Sequence, residues 1–240
     1  MSCSASFAQD FSQLFQSGNE LYSQGNYKGA IEQYEKIVQL PFVNEGVYYN
    51  LANASFKDNQ LGRAILYYEK AARLAPRDRE ISENLNFARM RIADKVEKRA
   101  EGFLLGLLRR IMDWLPLDLE TGLAVIFFIV TNVSFSLFWL NPVPALSRIA
   151  LYVSLAFLVL SLCIGASNAF RIYVHETLRE GVVLVEKADV LSGPAGDNPV
   201  LFSIHEGLKV RVENEVQDWV QVSLENGWNG WMKRESLGMV

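Results

Sequence analysis

The spacing of apolar positions changes character twice along the chain. Up to about Lys98, apolar residues recur every three or four positions, the period of amphipathic helices packed on one face. From Thr121 to Ser147 no charge interrupts 27 positions, and from Ile149 to Phe170 none interrupts 22. From Gly181 onward the period falls to two. VVLVEKADVLSGP, LKVRVENEV and DWVQVSLENGWNGWM are short β-branched runs bounded by Gly, Pro, Asn and Asp, which predict strands. The pattern divides the chain into helices over 11–99, a polar-apolar approach over 100–120, an apolar pair over 121–170, a linker over 171–180 and strands over 181–240.

A helix crossing a hydrocarbon core of ~30 Å needs about 20 apolar residues. TGLAVIFFIVTNVSFSLFWL and IALYVSLAFLVLSLCIGASNAF each meet that length. NPVPALSR lies between them, and its Pro142 and Pro144 predict a tight turn. Two spans so joined form a transmembrane hairpin with both polar flanks on one side. Core helices of a soluble protein are the alternative, disfavoured by such long charge-free runs. Inside the spans the polar residues are small or uncharged: Thr131, Asn132, Ser134, Ser136, Ser154, Ser161, Ser167 and Asn168. A transport path would place an ionisable group there, so the hairpin reads as an anchor, with Cys163 packing as a small apolar group. GFLLGLLRRIMDWLPLDLE precedes it. With Arg109, Arg110 and Trp114 before Pro116, this segment predicts an interfacial helix.

Self-similarity marks the helical third. Offset by 34 residues, Gly18 falls on Ala52, Tyr22 on Phe56, Ala30 on Ala64, Ile31 on Ile65, Tyr34 on Tyr68, Glu35 on Glu69 and Lys36 on Lys70. Ala30 and Ala64 allow two helices to approach, Tyr34 and Tyr68 fill the gap one turn later, and Pro41 and Pro76 stop the second helix of each unit. Over about Phe11 to Asp78 this resembles the tetratricopeptide repeat. Arg79 to Lys98 predicts a last helix that grows charged, as a solvating cap does. The resemblance implies a concave groove lined by Phe15, Asn19 and Tyr22, by Tyr49, Asn53 and Phe56, and on the last helix by Glu83 and Phe87. Asn19 and Asn53 match the carboxylate-clamp subclass, but Phe15, Glu83 and Phe87 stand where that subclass has cations. The expectation is therefore an aromatic, amide-bearing groove for a peptide backbone or partner helix.

The strand region predicts five or so strands closed into a small barrel without free edges. Ser192-Gly193-Pro194, Gly207, Asp218-Trp219-Val220, Asn226-Gly227 and Gly230-Trp231-Met232 follow one another as in the bacterial SH3-like domain, which the segment resembles. Trp219 and Trp231 are expected in its core, and Trp228, between two glycine turns, on its surface.

Charge sharpens the picture. The net −4 is local: 13 basic and 12 acidic residues over 1–100, 4 and 4 over 101–175, and 6 and 11 over 176–240. With no Lys/Arg cluster, nucleic-acid binding is not expected. Cys3 and Cys163, His175 and His205 make no metal-ligand or nucleophile spacing; no cofactor, metal, small-molecule substrate or enzymatic activity is expected, and His205 has no evident partner. The acidic strand region disfavours anionic polymers and admits a cationic or neutral partner, peptidoglycan included.

Two signals of sidedness conflict. Arg109, Arg110, Arg171 and Arg179 flank the spans, against Arg148 in the turn, which by the positive-inside bias faces both flanks to the cytoplasm. Ser6-Phe7-Ala8 before Gln9, within residues 1–10, reads as the end of a secretory signal peptide and favours the periplasmic face of the inner membrane. The order of repeat, hairpin and SH3-like region resembles the BatE family of bacterial aerotolerance operons. Closest in kind are YYNLANASFKDNQLGRAILYYEKAARLAPRD and LSGPAGDNPVLFSIHEGLKVRV. The resemblance implies von Willebrand A-type membrane proteins and a MoxR-type AAA+ ATPase as partners, and an envelope scaffold under stress. The sum of expectations is two small binding modules on one membrane-anchored chain, with a cell-wall sensor acting through the SH3-like region as the alternative.

Overall fold

The computed structural model describes residues 2–41, 43–96 and 117–240. Its helical third consists of α1 (Ser2–Ser23) paired with α2 (Tyr27–Val38), α3 (Glu45–Lys57) paired with α4 (Leu61–Leu74), and α5 (Arg79–Arg89). Asn26, Asn44 and Asp78 cap α2, α3 and α5 by accepting hydrogen bonds from first-turn amides, which satisfies donors that a helix start leaves open. The turn inside each pair needs a left-handed residue, and it falls at the same repeat position: Gly25 at φ +76° and Asn59, 34 residues on, at φ +60°. Glycine and asparagine adopt that conformation most readily. Ala30 and Ala64 are fully buried beneath Tyr34 and Tyr68, as the 34-residue period requires. The expected last helix is shorter than its charge pattern suggests. It ends at Arg89, and residues 91–96 run as an irregular segment in which Ile92 and Val96 are partly buried.

The strand region forms a seven-stranded antiparallel sheet: β1 (Arg179–Val183), β2 (Lys187–Leu191), β3 (Val200–His205), β4 (Lys209–Val216), β5 (Trp219–Ser223), β6 (Asn229–Lys233) and β7 (Leu237–Met239). The pairing order is β3-β2-β6-β5-β4-β1-β7; the all-β SH3-like architecture is as expected, while pairing ends at β3 and β7 and so leaves two edges where none was expected. Alternation settles the core: Val220, Val222 and Met232 are completely buried. Trp219 and Trp231, at the opposite parity, are only half-buried, because one residue of offset along a strand exchanges faces.

The helical repeats and the sheet are not separate modules. Residues 1–99 and 179–240 form one compact unit. Val182 is buried in the same cluster as Ala64, Leu66, Leu85 and Ala88, with Leu184, Ile92 and Val240 packed at its margin. Among the described residues no second helix pairs with α5, and β1 and β7 pack on α4. The approach is close. A Cβ on Gly62 would stand 2.5 Å from the Val183 carbonyl oxygen, one on Gly207 2.8 Å from Ile65, and one on Gly238 2.6 Å from Leu66. Polar contacts frame the seam. The Gly62 amide donates to Glu206 (2.7 Å), Arg73 to the Val240 carbonyl (3.1 Å), and the His205 amide to Asp94 (2.6 Å). The β7 edge is thereby covered, which is one way a sheet avoids edge-to-edge association.

The second unit is the apolar pair. α6 (Leu117–Leu140) and α7 (Pro144–Thr177) contain stretches long and apolar enough to cross a membrane, Leu119–Leu140 at mean hydropathy 2.2 and Pro144–Tyr173 at 2.4. Pro144 opens α7, where its missing amide costs nothing, so the turn shortens to residues 141–143. Small hydroxyls join the helices, Ser154 donating to the Thr131 carbonyl and Ser161 to that of Ala124, each at 3.1 Å. Such bonds suit an apolar medium, where every polar group needs an internal partner. Glu120 and Arg171 pair at 3.1 Å across the open end. The residues expected to form a linker, 171–180, divide between the last turns of α7 and the start of β1. The interfacial helix, with Arg109, Arg110, Trp114 and Pro116, lies outside the described residues.

Candidate functional site

The first helices α1, α3 and α5 lie side by side, and hydrogen bonds between their groove residues fix the spacing. Asn50 donates to Asn19 at 3.0 Å, linking α3 to α1. Asn84 donates to the Tyr49 hydroxyl at 2.6 Å, linking α5 to α3. The two donors, Asn50 and Asn84, are one 34-residue repeat apart, while their acceptors are not repeat-equivalent. The Tyr49 hydroxyl in turn donates to Glu80 at 2.6 Å.

The asparagines expected to face a partner serve the fold as well. Asn19 accepts from the Tyr34 hydroxyl at 2.7 Å, and Asn53 accepts from that of Tyr68. Each carbonyl oxygen is thus occupied by the buried tyrosine of its own repeat, fifteen residues on. That leaves the amide donors as the polar groups these residues can offer. Phe15 stacks on Phe11 and tilts against Tyr34, Tyr22 meets Tyr27 edge-on at 5.3 Å, and Tyr49 leans on Tyr68. Phe56 and Phe87 come together at 5.7 Å, and Phe87 remains half exposed. Glu83, one helical turn before Phe87 on α5, is exposed.

Burial, then the neighbouring Tyr22, pushes the Tyr34 hydroxyl up to about 12; burial, then the charges of Tyr49, Tyr22 and Glu80, raises Tyr68 further. Both groups are neutral when folded and ionise more easily unfolded. Their contribution to stability is therefore complete below about pH 10 and is lost as pH rises through about 12. Alkaline titration is expected to unfold the repeats as tyrosinate absorbance appears, and Tyr34→Phe is expected to make that loss shallower. Ionisation of all nine tyrosines with helical circular dichroism unchanged contradicts this.

Two groups escape sequence reasoning. Arg91, beyond the end of α5, lays its guanidinium 4.6 Å from the Phe56 ring centre and 5.3 Å from that of Phe87, so a cation stands beside this aromatic pair. His205 does have a partner: its Nδ1 lies 2.8 Å from the Asp94 carboxylate across the seam. No local spacing signals a contact 111 residues apart.

On the sheet, Trp228 is 58 % exposed, with Phe202 at 5.2 Å and Val200 and Leu201 exposed on the free strand β3. The Trp228 amide donates to Asn226 in the turn that lifts it.

Comparison with protein families agrees with this geometry. A tetratricopeptide repeat model matches residues 46–78, the α3–α4 pair, and a bacterial SH3 domain model matches residues 185–238, most of the sheet. No curated protein matches the chain. Helical repeats of this kind with two long apolar helices and an antiparallel SH3-like sheet make up the fold, and the matched domain types serve interaction and are typically non-catalytic.

Proposed function

We propose that the protein is a membrane-anchored interaction scaffold of the bacterial envelope, in which the face of α1, α3 and α5 holds a segment of a partner protein. The observation that carries this reading is the Phe56–Phe87 pair, partly buried at Phe56 and half exposed at Phe87, on helices linked by hydrogen bonds among Asn19, Asn50, Tyr49 and Asn84. A preorganised aromatic surface holds a partner at low entropic cost. The resemblance to BatE supplies the finer reading, an aerotolerance or stress complex with von Willebrand A-type proteins and a MoxR-type ATPase. Because the repeats and the sheet form one unit while the apolar pair lies between them in the chain, two crossings, returning to the starting face, suit this arrangement.

Co-purification from native membranes tests it. Asn19 and Asn53 are poor targets, since their loss strands tyrosine hydroxyls, so the informative variant is Phe87→Ala. Partner recovery is expected to fall severalfold at an unchanged level of the protein itself; unchanged recovery removes the groove from the mechanism. Sidedness is read by protease in right-side-out spheroplasts. The periplasmic reading expects cleavage of the repeats in intact spheroplasts, and protection until lysis overturns it.

The exposed Trp228 beside Phe202 favours a second reading, a peptidoglycan-directed role, because aromatic faces stack on sugar rings. Since Val182, Leu184 and Val240 are committed to the repeats, the whole protein and not the excised sheet belongs in a pull-down on purified sacculi. Loss of retention in Trp228→Ala is the expected outcome there.

A further inference from the structure

We infer that the α5 end of the groove selects a partner segment carrying a carboxylate side chain next to an apolar one. This rests on the groove reading and adds the chemistry of its occupant. Arg91 is held by its faces: its guanidinium lies over both Phe56 and Phe87, an arrangement that orients the planar fork without consuming its N–H donors. Among the described residues no carboxylate pairs with it. Arg89, two residues earlier, is by contrast turned inward to Glu69 at 2.5 Å, so the two arginines of this turn are divided between the seam and the groove.

The surroundings point the same way. Lys57, exposed in the last turn of α3 and next to Phe56 in the chain, adds positive charge at that end, and Met90 is 75 % exposed beside Arg91. Methionine and aromatic rings around an arginine form the kind of patch on which binding energy concentrates. At the other end of α5 the charge is reversed by Glu80 and Glu83. Glu83 lies six residues before the end of α5, about 9 Å of helix, and Arg91 lies beyond that end, so an incoming carboxylate is repelled at Glu83 and drawn to Arg91, which fixes its register along the groove. A bidentate, charge-assisted pair with the guanidinium is the contact available to it.

The test uses the full protein in nanodiscs of uncharged lipid and fluorescence anisotropy. The probes are three labelled peptides with amidated C-termini, built on Asp-Leu-Glu-Phe, Asn-Leu-Gln-Phe and Lys-Leu-Lys-Phe. The acidic peptide is expected to bind about fivefold more tightly than its amide twin, with the difference shrinking as salt rises. Arg91→Ala is expected to erase the difference and Arg91→Lys to keep part of it, both at an unchanged thermal midpoint because the residue is exposed. Equal binding of the acidic and amide peptides, or an acid preference that survives Arg91→Ala, overturns the inference. Binding that depends on Phe87 but is indifferent to charge leaves the groove reading standing while this inference fails. Absence of any binding that depends on Phe87 defeats both.

Discussion

Gly62→Ala is expected to destabilise the protein, although it places a better helix former inside a helix. Propensity alone favours the change by about 1 kcal/mol. The seam opposes it: the new Cβ would lie 2.5 Å from the Val183 carbonyl oxygen, 2.8 Å from Glu206 Cγ and 3.1 Å from Leu184 Cα. Two of these three are backbone atoms of the sheet, which move only if β1 lifts from α4. Glu206 also accepts the Gly62 amide, so relief by moving that side chain breaks a hydrogen bond. A net loss of roughly 1–3 kcal/mol is expected, the range for overpacking a closed interface. Gly46 is a matched control, since it is likewise the second residue of its helix, but its Cβ would meet nothing nearer than Asn44 Oδ1 at 3.5 Å. Gly46→Ala is therefore expected to be neutral or stabilising. Denaturation in nanodiscs, with hydrogen exchange followed in α4 and β1, measures both. Equal stability of the two variants would show that the sheet does not press on α4.

Glu69→Ala is expected to cost about 1–2 kcal/mol and to loosen α5 selectively. Glu69 is a buried carboxylate on α4 whose side chain is 7 % exposed; it holds Arg89 of α5 at 2.5 Å and Lys209 of β4 at 3.1 Å. Its loss leaves Arg89, whose side chain is 41 % exposed, without a carboxylate, while Lys209 keeps Glu180 at 2.6 Å, so the cost lies between that of a surface pair and that of a fully buried one. In Lys209→Met the buried carboxylate of Glu69 keeps Arg89 at 2.5 Å, so a smaller loss is expected, about 0.5–1 kcal/mol. α5 is an eleven-residue helix, too short to persist on its own propensity, and it carries Phe87. Faster amide exchange in α5 and weaker partner recovery are thus expected together in Glu69→Ala. Stability within about 0.5 kcal/mol of the parent would remove Glu69 from the seam's energetics.

The groove is partly legible in the amino-acid sequence. Repeat register points to Phe56 and Phe87, and the two rings do meet. Register points to Asn19 and Asn53 as well, but it cannot say that each carbonyl oxygen is taken by a tyrosine of its own repeat. Arg91 stays hidden because it follows the helix and no helical spacing leads to it. Residue type assigns Trp219 and Trp231 to the core, whereas strand parity gives the inward positions to Val220, Val222 and Met232. Parity is readable only once the register is known, and a one-residue shift reverses it.

Local periodicity carries the rest. The 34-residue repeat, the two apolar runs and the alternating strands are properties of neighbours in the chain. Helix and strand geometry and the length of a membrane span set them, so sequence is enough to order the helical repeats, the apolar pair and the strand region, though not to count the strands, of which seven form. That repeats and sheet are one body is a matter of tertiary contact. Gly62 and Glu206 are 144 residues apart, and Glu69 and Lys209 are 140 apart. A glycine is required at Gly62 by a carbonyl from another element, and a buried glutamate at Glu69 by a lysine from another. No pattern among chain neighbours encodes such a pairing, because the partners meet only when the chain folds back on itself.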